Sequence, residues 1–367
     1  MANEAASVAR GEADGSAWSR FWFAPTPPTT LTVVRVFSGV LFALWLLSFL
    51  GHQEGYFTFQ GWLDLRAFQA AQKQQESLPA PIDWSILYLV GDGGPLFHVL
   101  YFGAIATFLL FAAGVATRVT SVLSWLFVAS FLASPTVSYE GDYLLGILAF
   151  YMAIGHLLLY QATPLSLLER LVGTKDQILF SDRLFGPAKS ERPGSAAATW
   201  TLRLLQIHFV IIFMTSGFHK LQMGDWWSGA ALWYPLHQPM QTTLETLRRE
   251  KPSAEIAMFF LSLAAYAVIA WQIALPVFAW RRGWMARTVL LGGAAIGWLG
   301  SFFVYQLPLF GPFVTIGALS FVTADEWVSA KAYVFSLIGM RSPDAAPAVA
   351  REVKAPVLVG KETGIKK

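Results

Sequence analysis

Eight stretches of this chain run for the length of a membrane-crossing helix with almost no charge, and that pattern leaves few folds open. Crossing ~30 Å of hydrocarbon takes ~20 mostly apolar residues. The candidate spans are residues 30–50, 96–116, 119–137, 143–161, 201–221, 256–280, 287–305 and 307–323. The last is short and is joined to its predecessor through Pro308 and Pro312. A chain that is 55% hydrophobic and 13% charged, with mean hydropathy +0.50, has more apolar surface than a water-soluble core can hide. In lipid each backbone N–H and C=O must be satisfied within the protein, which favours helices. The expected fold class is therefore all-α: a polytopic integral membrane helical bundle of about eight transmembrane helices.

The Lys and Arg residues orient such a bundle, because basic loops stay in the cytoplasm. With the N-terminus inside, eighteen of the 26 basic residues fall on the inner side and five on the outer, while Arg35, Arg203 and Lys220 lie within spans. That asymmetry predicts eight crossings with both termini cytoplasmic. It also accounts for the net charge of +3 as a topology signal, so no nucleic-acid partner is expected. The chain has no cysteine, which excludes disulfides and thiolate chemistry.

Residues 1–29 are polar, small and Pro-rich, without the form of a signal peptide, and read as a disordered cytoplasmic leader. The transmembrane domain is expected over 30–323, interrupted by a polar cytoplasmic connector at 162–200, and 324–367 forms a cytoplasmic tail. The first outer loop, 51–95, contains a run from Trp62 to Phe68 suited to an amphipathic connector. Trp226, Trp227, Trp233, Trp280 and Trp284 sit where an interfacial aromatic belt is expected. Pro276 falls inside the sixth span and predicts a kink.

Polar residues intrude on the fifth span. His208, Thr215, Ser216, His219 and Lys220 share an arc of roughly 140° at helical spacing, a face expected to point into the bundle. An ionisable group in a membrane helix is a functional candidate because it is costly there unless paired or wetted. A desolvated lysine amine can act as a base, whereas a hydrated one stays protonated. Against this, Lys220 lies at the outer end of its span, where it can snorkel to the headgroups or pair with Asp225. Arg203 is ~25 Å from it along the helix and belongs elsewhere. Glu140, Asp142, His98, His237 and Gln306 fall near other outer helix ends and form a candidate polar pocket with His219 and Lys220. No histidine pair has a tight ligand spacing, and no metal site is expected.

These residues carry a resemblance. "SGFHKL" followed by "GDWWSGAAL" resembles the horizontally transferred transmembrane domain shared with vitamin K-dependent γ-glutamyl carboxylase. The likeness extends through "VVRVFSGVLFALW", "FAAGVATRVTSVLSWLFV" and "GDYLLGILAF", covering approximately residues 30–323. The resemblance implies an all-helical membrane bundle, and a reduced, vitamin K-like quinone as cofactor. In the carboxylases a lysine of this motif deprotonates the quinol, and Lys220 is similar in position. The implied catalytic set is Lys220 with His219 or Asp142 as proton partner, and the implied cofactor-binding residues are Ser216, Trp226 and Gln306.

The chain also departs from the carboxylases. It reads Glu140-Gly141 where they have Asn-His, and Ser301, in "GSFFVYQLPLFGPF", where they have histidine. Lys220 and Trp226 are one residue further apart than in the animal enzymes, and only 44 residues follow the last span. A retained quinone site is thus a stronger implication than carboxylation of a protein substrate. Bacterial members of the wider family include one that matures a secreted peptide toxin. Two functions therefore stay open: a quinol-using oxidoreductase in the bacterial inner membrane, or a non-catalytic protein assisting maturation, export or assembly of a peptide or protein partner. Transport ranks below both, because the in-span charges lie near helix ends.

Overall fold

The computed structural model describes residues 16–59, 61–62, 70, 73, 85–90, 93–134, 136–137, 140–159, 194–236, 245, 249 and 253–337. They are helical almost throughout, with one isolated bridge between Thr26 and Ser195. The helices are α1 (Ala17–Phe23), α2 (Thr29–Leu47), α3 (Gln53–Phe57), α4 (Pro95–Ala113), α5 (Thr117–Leu132), α6 (Glu140–Leu158), α7 (Ala196–Leu221), α8 (Gly224–Ser228), α9 (Ala230–Trp233), α10 (Ser253–Phe278), α11 (Trp284–Phe303), α12 (Phe310–Leu319) and α13 (Ala324–Leu337).

Six of these are long and apolar enough to cross a membrane: α2, α4, α6, α7, α10 and α11. The expected count of about eight meets two shorter helices. α5 has 16 residues, ~24 Å, and α12 has 10, ~15 Å, less than the hydrocarbon thickness. Prolines explain the shortness of α12, since Pro308 interrupts the approach to it and Pro312 fits its first turn, where no intrahelical N–H is needed.

The eight apolar helices nevertheless alternate in direction. At one end, Arg118 of α5 donates to the Leu157 carbonyl of α6 (3.1 Å) and Phe111 of α4 packs on His156 of α6. Thr30 at the start of α2 donates to the carbonyl of Val322, just past α12 (2.7 Å). Gln206, early in α7, donates to the Ser320 carbonyl and accepts from the Trp280 indole beyond α10. Arg287 in the first turn of α11 bonds Glu326 of α13 (2.9 Å). At the opposite end, Trp45 of α2 bonds Asp142 of α6, Tyr101 of α4 bonds the Leu46 carbonyl, and Tyr266 of α10 bonds the Trp227 carbonyl of α8.

α2 is the hub, with 67% of its apolar window buried, whereas α10 and α11 bury 22% and 17% and form a peripheral hairpin. Trp45, Phe42, Phe97, Tyr101, Phe108, Phe111 and Phe131 fill the space between α2, α4 and α5. Two glycines permit that packing. A Cβ on Gly39 would lie 2.8 Å from the Phe108 carbonyl and the Ala112 N, so its absence lets the backbones of α2 and α4 approach closely. Gly114 closes α4 in a left-handed cap (φ +85) and, with Ala116 (φ 46), reverses the chain into α5 within three residues.

The leader differs from expectation: α1 lies within it. Ser16 caps α1 through the Ser19 N–H, and Phe21 and Trp22 are half-buried. α7 begins one turn earlier than the apolar run, capped by Ser195. Pro276 sits inside α10, which continues to Phe278. Most of the 162–200 connector, the Trp62–Phe68 run beyond Trp62, and the chain after Leu337 lie outside the described residues.

Candidate functional site

Lys220 occupies the last turn of α7, where helix geometry sets residue i−4 directly beneath it. That residue is Ser216, and the Lys220 ammonium donates to its hydroxyl at 2.5 Å. Beyond the helix, Gln222 and Met223 turn the chain so that α8 folds back and places the Trp226 ring under the same nitrogen, 4.8 Å from its centroid. Trp227 on the same short helix donates to the Leu221 carbonyl (2.9 Å), fixing α8 against the end of α7. Three residues expected in the site, Lys220, Ser216 and Trp226, are thereby brought together. All three are half-buried. His219, beside them in sequence, is exposed.

Asp142 belongs to a second group at the same end of the bundle, on α6, which packs against α7. It accepts a hydrogen bond from the fully buried Trp45 indole (3.0 Å), and it borders a cavity of about 300 Å³. The other walls are Trp45 from α2, Ser48 and Phe49 just past its end, and residues 307–310 from the turn into α12. Those walls are apolar, with the carboxylate as their charged group. Gln306 immediately precedes this turn. It is exposed and takes a left-handed backbone (φ 56), while the Leu307 N–H bonds the Ser301 carbonyl to close the loop. Ser301 itself is buried and hydrogen-bonded to the Trp298 carbonyl (2.9 Å).

The remaining residues of the expected pocket go elsewhere. His98 bonds the Gly94 carbonyl and lies 3.7 Å from Glu54, beside a separate open cavity lined by His52, Glu54 and Trp62. His208, placed by helical spacing on the lysine's face, bonds the Tyr151 hydroxyl of α6 at 2.8 Å, about three turns below Lys220. Asp225 is exposed on α8. His237 and the Glu140 side chain lie outside the described residues. Among the described residues no group of three or more His, Asp or Glu side chains is arranged to hold a metal ion.

No family model, curated protein or solved structure matches the chain. The functional reading thus rests on its own residues and geometry.

Sequence reasoning missed two residues that organise this end and the opposite one. Trp45 was not singled out, yet its indole N–H bonds Asp142. Gln206, a lone amide in an apolar run, is buried, accepts from Arg203 of its own helix, and ties α7 to Trp280 and to the Ser320 carbonyl. The signal for Gln206 was its rarity, since a polar side chain in hydrocarbon persists only with partners.

Proposed function

We propose that the protein is an eight-crossing integral protein of the bacterial inner membrane, with both termini cytoplasmic, and that its outer end carries a carboxylase-like site using a reduced quinone. The alternating order of the eight apolar helices supports the crossing count, α12 being extended through residues 307–309 and 320–323. The observation that carries the enzymatic reading is the Lys220 amine seated between the Ser216 hydroxyl and the Trp226 face.

The Ser216 oxygen accepts from the ammonium, and the Trp226 ring attracts it by a cation–π contact of ~0.5–2 kcal/mol. Both contacts fix the place of the Lys220 nitrogen at the end of α7, as a positioned proton-transfer group requires. The cavity beside Asp142 suits a quinone head: aromatic and aliphatic walls from Trp45, Phe49, Leu309 and Phe310, one hydrogen-bonding carboxylate, and a volume at the low end of the ~300–1,000 Å³ of ligand pockets. A bound quinol would supply an acidic O–H and reducing equivalents. Trp45 would hold Asp142 in place, and α6 packed on α7 would bring the two groups to the same face of the membrane.

The test is mass spectrometry of lipids co-purifying with wild type and with Lys220→Ala, followed by quinol oxidation assays. Quinone enriched by wild type and turnover lost in Lys220→Ala support the reading. Equal turnover in both proteins defeats it.

A second reading, a non-catalytic membrane partner for another peptide or protein, is favoured by the periphery. α10 and α11 leave Ile256, Phe259, Phe260, Ile296, Leu299 and Phe303 uncovered. This reading predicts a co-purifying protein whose retention survives Lys220→Ala.

A further inference from the structure

At the end of the bundle opposite Lys220, Arg20, Arg203, Arg281 and Arg282 sit on α1, the start of α7 and the turn after α10, three elements joined through Phe21, Gln206 and Trp280. Arg203, in the second turn of α7, is half-buried. Its Nε donates to the Phe21 carbonyl (3.2 Å), its guanidinium lies 4.5 Å over the Phe21 ring, and one Nη donates to Gln206 (2.9 Å). The Gln206 oxygen that accepts this bond also accepts from the Trp280 indole (3.1 Å), which brings the 279–283 turn alongside. Arg281 and Arg282 follow in that turn, both exposed, and Arg282 is near enough to Arg203 for their charges to repel. Arg20 is exposed on α1, next to Phe21.

Among the described residues, none of these four guanidinium groups lies within ion-pair distance of a carboxylate, whereas Arg287 nearby is paired with Glu326. Holding one guanidinium half-buried beside a second costs free energy unless an anion joins them. Three of the five N–H donors of Arg203 remain for such an anion once Phe21 and Gln206 are served. The surroundings identify where the anion sits. Trp18, Phe23 and Trp284 are exposed at the same level, as aromatic residues are at the headgroup boundary.

We infer that Arg203, Arg281, Arg282 and Arg20 form a binding site for the phosphate of an anionic phospholipid, wedged between α1, the start of α7 and the turn after α10. The planar guanidinium of Arg203 grips two phosphate oxygens, Arg281 and Arg282 close over the headgroup, and the acyl chains run along the sparsely buried outer surface of α10. The bound lipid ties α1 and the α10–α11 turn to α7. This site is independent of the lysine site at the other end, and its test does not depend on any activity.

Purified protein is incubated with phosphatidylglycerol or phosphatidylcholine of the same chains, and retained lipid is counted by native mass spectrometry. Wild type is expected to retain phosphatidylglycerol over phosphatidylcholine. Arg281→Gln/Arg282→Gln, both exposed and outside the packed core, should weaken that retention roughly tenfold or more. Arg203→Gln should do the same, and its folding is checked by the helical circular dichroism of the preparation. Lys73→Gln/Arg249→Gln removes the same charge from exposed positions in other connections and should retain the lipid as wild type does. Equal loss in both double variants, no preference between the lipids, or displacement of phosphatidylglycerol by millimolar inorganic phosphate overturns the inference.

Discussion

Replacing Gly114 by alanine tests whether the α4–α5 reversal and the buried Arg35 are as tightly joined as their geometry requires. The alanine must adopt φ +85, a left-handed conformation that costs an L-residue ~1–2 kcal/mol. Its Cβ would also sit 2.8 Å and 2.9 Å from the two Nη atoms of Arg35. Arg35 is 1% exposed, so its guanidinium has no open space to swing into, and overpacking of this kind costs a further ~1–3 kcal/mol. The sum is ~2–5 kcal/mol. At roughly 2 °C per kcal/mol for a large domain, the thermal midpoint in detergent should fall by about 4–10 °C. Gly103→Ala is the control: the residue is helical on the same α4, nothing lies within 4 Å of the added Cβ, and helix propensity favours the change. Shortening the obstructing side chain, in Gly114→Ala/Arg35→Ala, should cost less than the two single changes added together. A Gly114→Ala midpoint no lower than that of Gly103→Ala, or strict additivity in the double variant, would refute the reasoning.

Three further outcomes follow from the polar contacts. Burial acts to raise the Glu326 pKa, but the hydrogen bond and charge of Arg287, with the Thr323 N–H and hydroxyl, outweigh it and hold the group below its ordinary 4.5. Its folded pKa is thus depressed, so its contribution is complete above about pH 4.5 and is lost as pH falls through the folded value; the stability gap between wild type and Glu326→Gln, read by thermal unfolding, should be widest at pH 7 and close in acid. Gln206→Leu leaves the Trp280 N–H without its acceptor and removes the tie from α7 to the Ser320 carbonyl past α12, and should cost ~1–3 kcal/mol per buried group left unsatisfied, read as a lower midpoint. Trp45→Phe removes a charge-assisted bond of ~1.5–3 kcal/mol from Asp142; combined with Asp142→Asn it should lose less than the sum of the two, as a double-mutant cycle measures.

Much of the helical layout was legible because hydrophobic length is a one-dimensional property: α2, α4, α6, α7, α10 and α11 fall within a few residues of the apolar runs that announce them. The boundaries that moved did so for local reasons. Ser195 caps α7 a turn early, prolines shorten α12, and α1 forms in a leader whose composition resembles disorder but whose Trp18, Phe21, Trp22 and Phe23 are apolar enough to pack or face lipid. The Lys220–Ser216 contact was also legible, since i, i+4 spacing is fixed by the helix itself.

What the chain's own order of residues determined is therefore the helices, their apolar faces and the lysine's immediate neighbour. Only the tertiary structure decided which distant groups meet: Trp45 with Asp142, Tyr151 with His208, Arg35 against Gly114, and Arg203 with Phe21 of α1. Helical periodicity says which face a side chain occupies, but not which neighbouring helix covers that face or at what height. His208 and Lys220 share a face and yet serve different partners because α6 meets one and α8 folds back over the other.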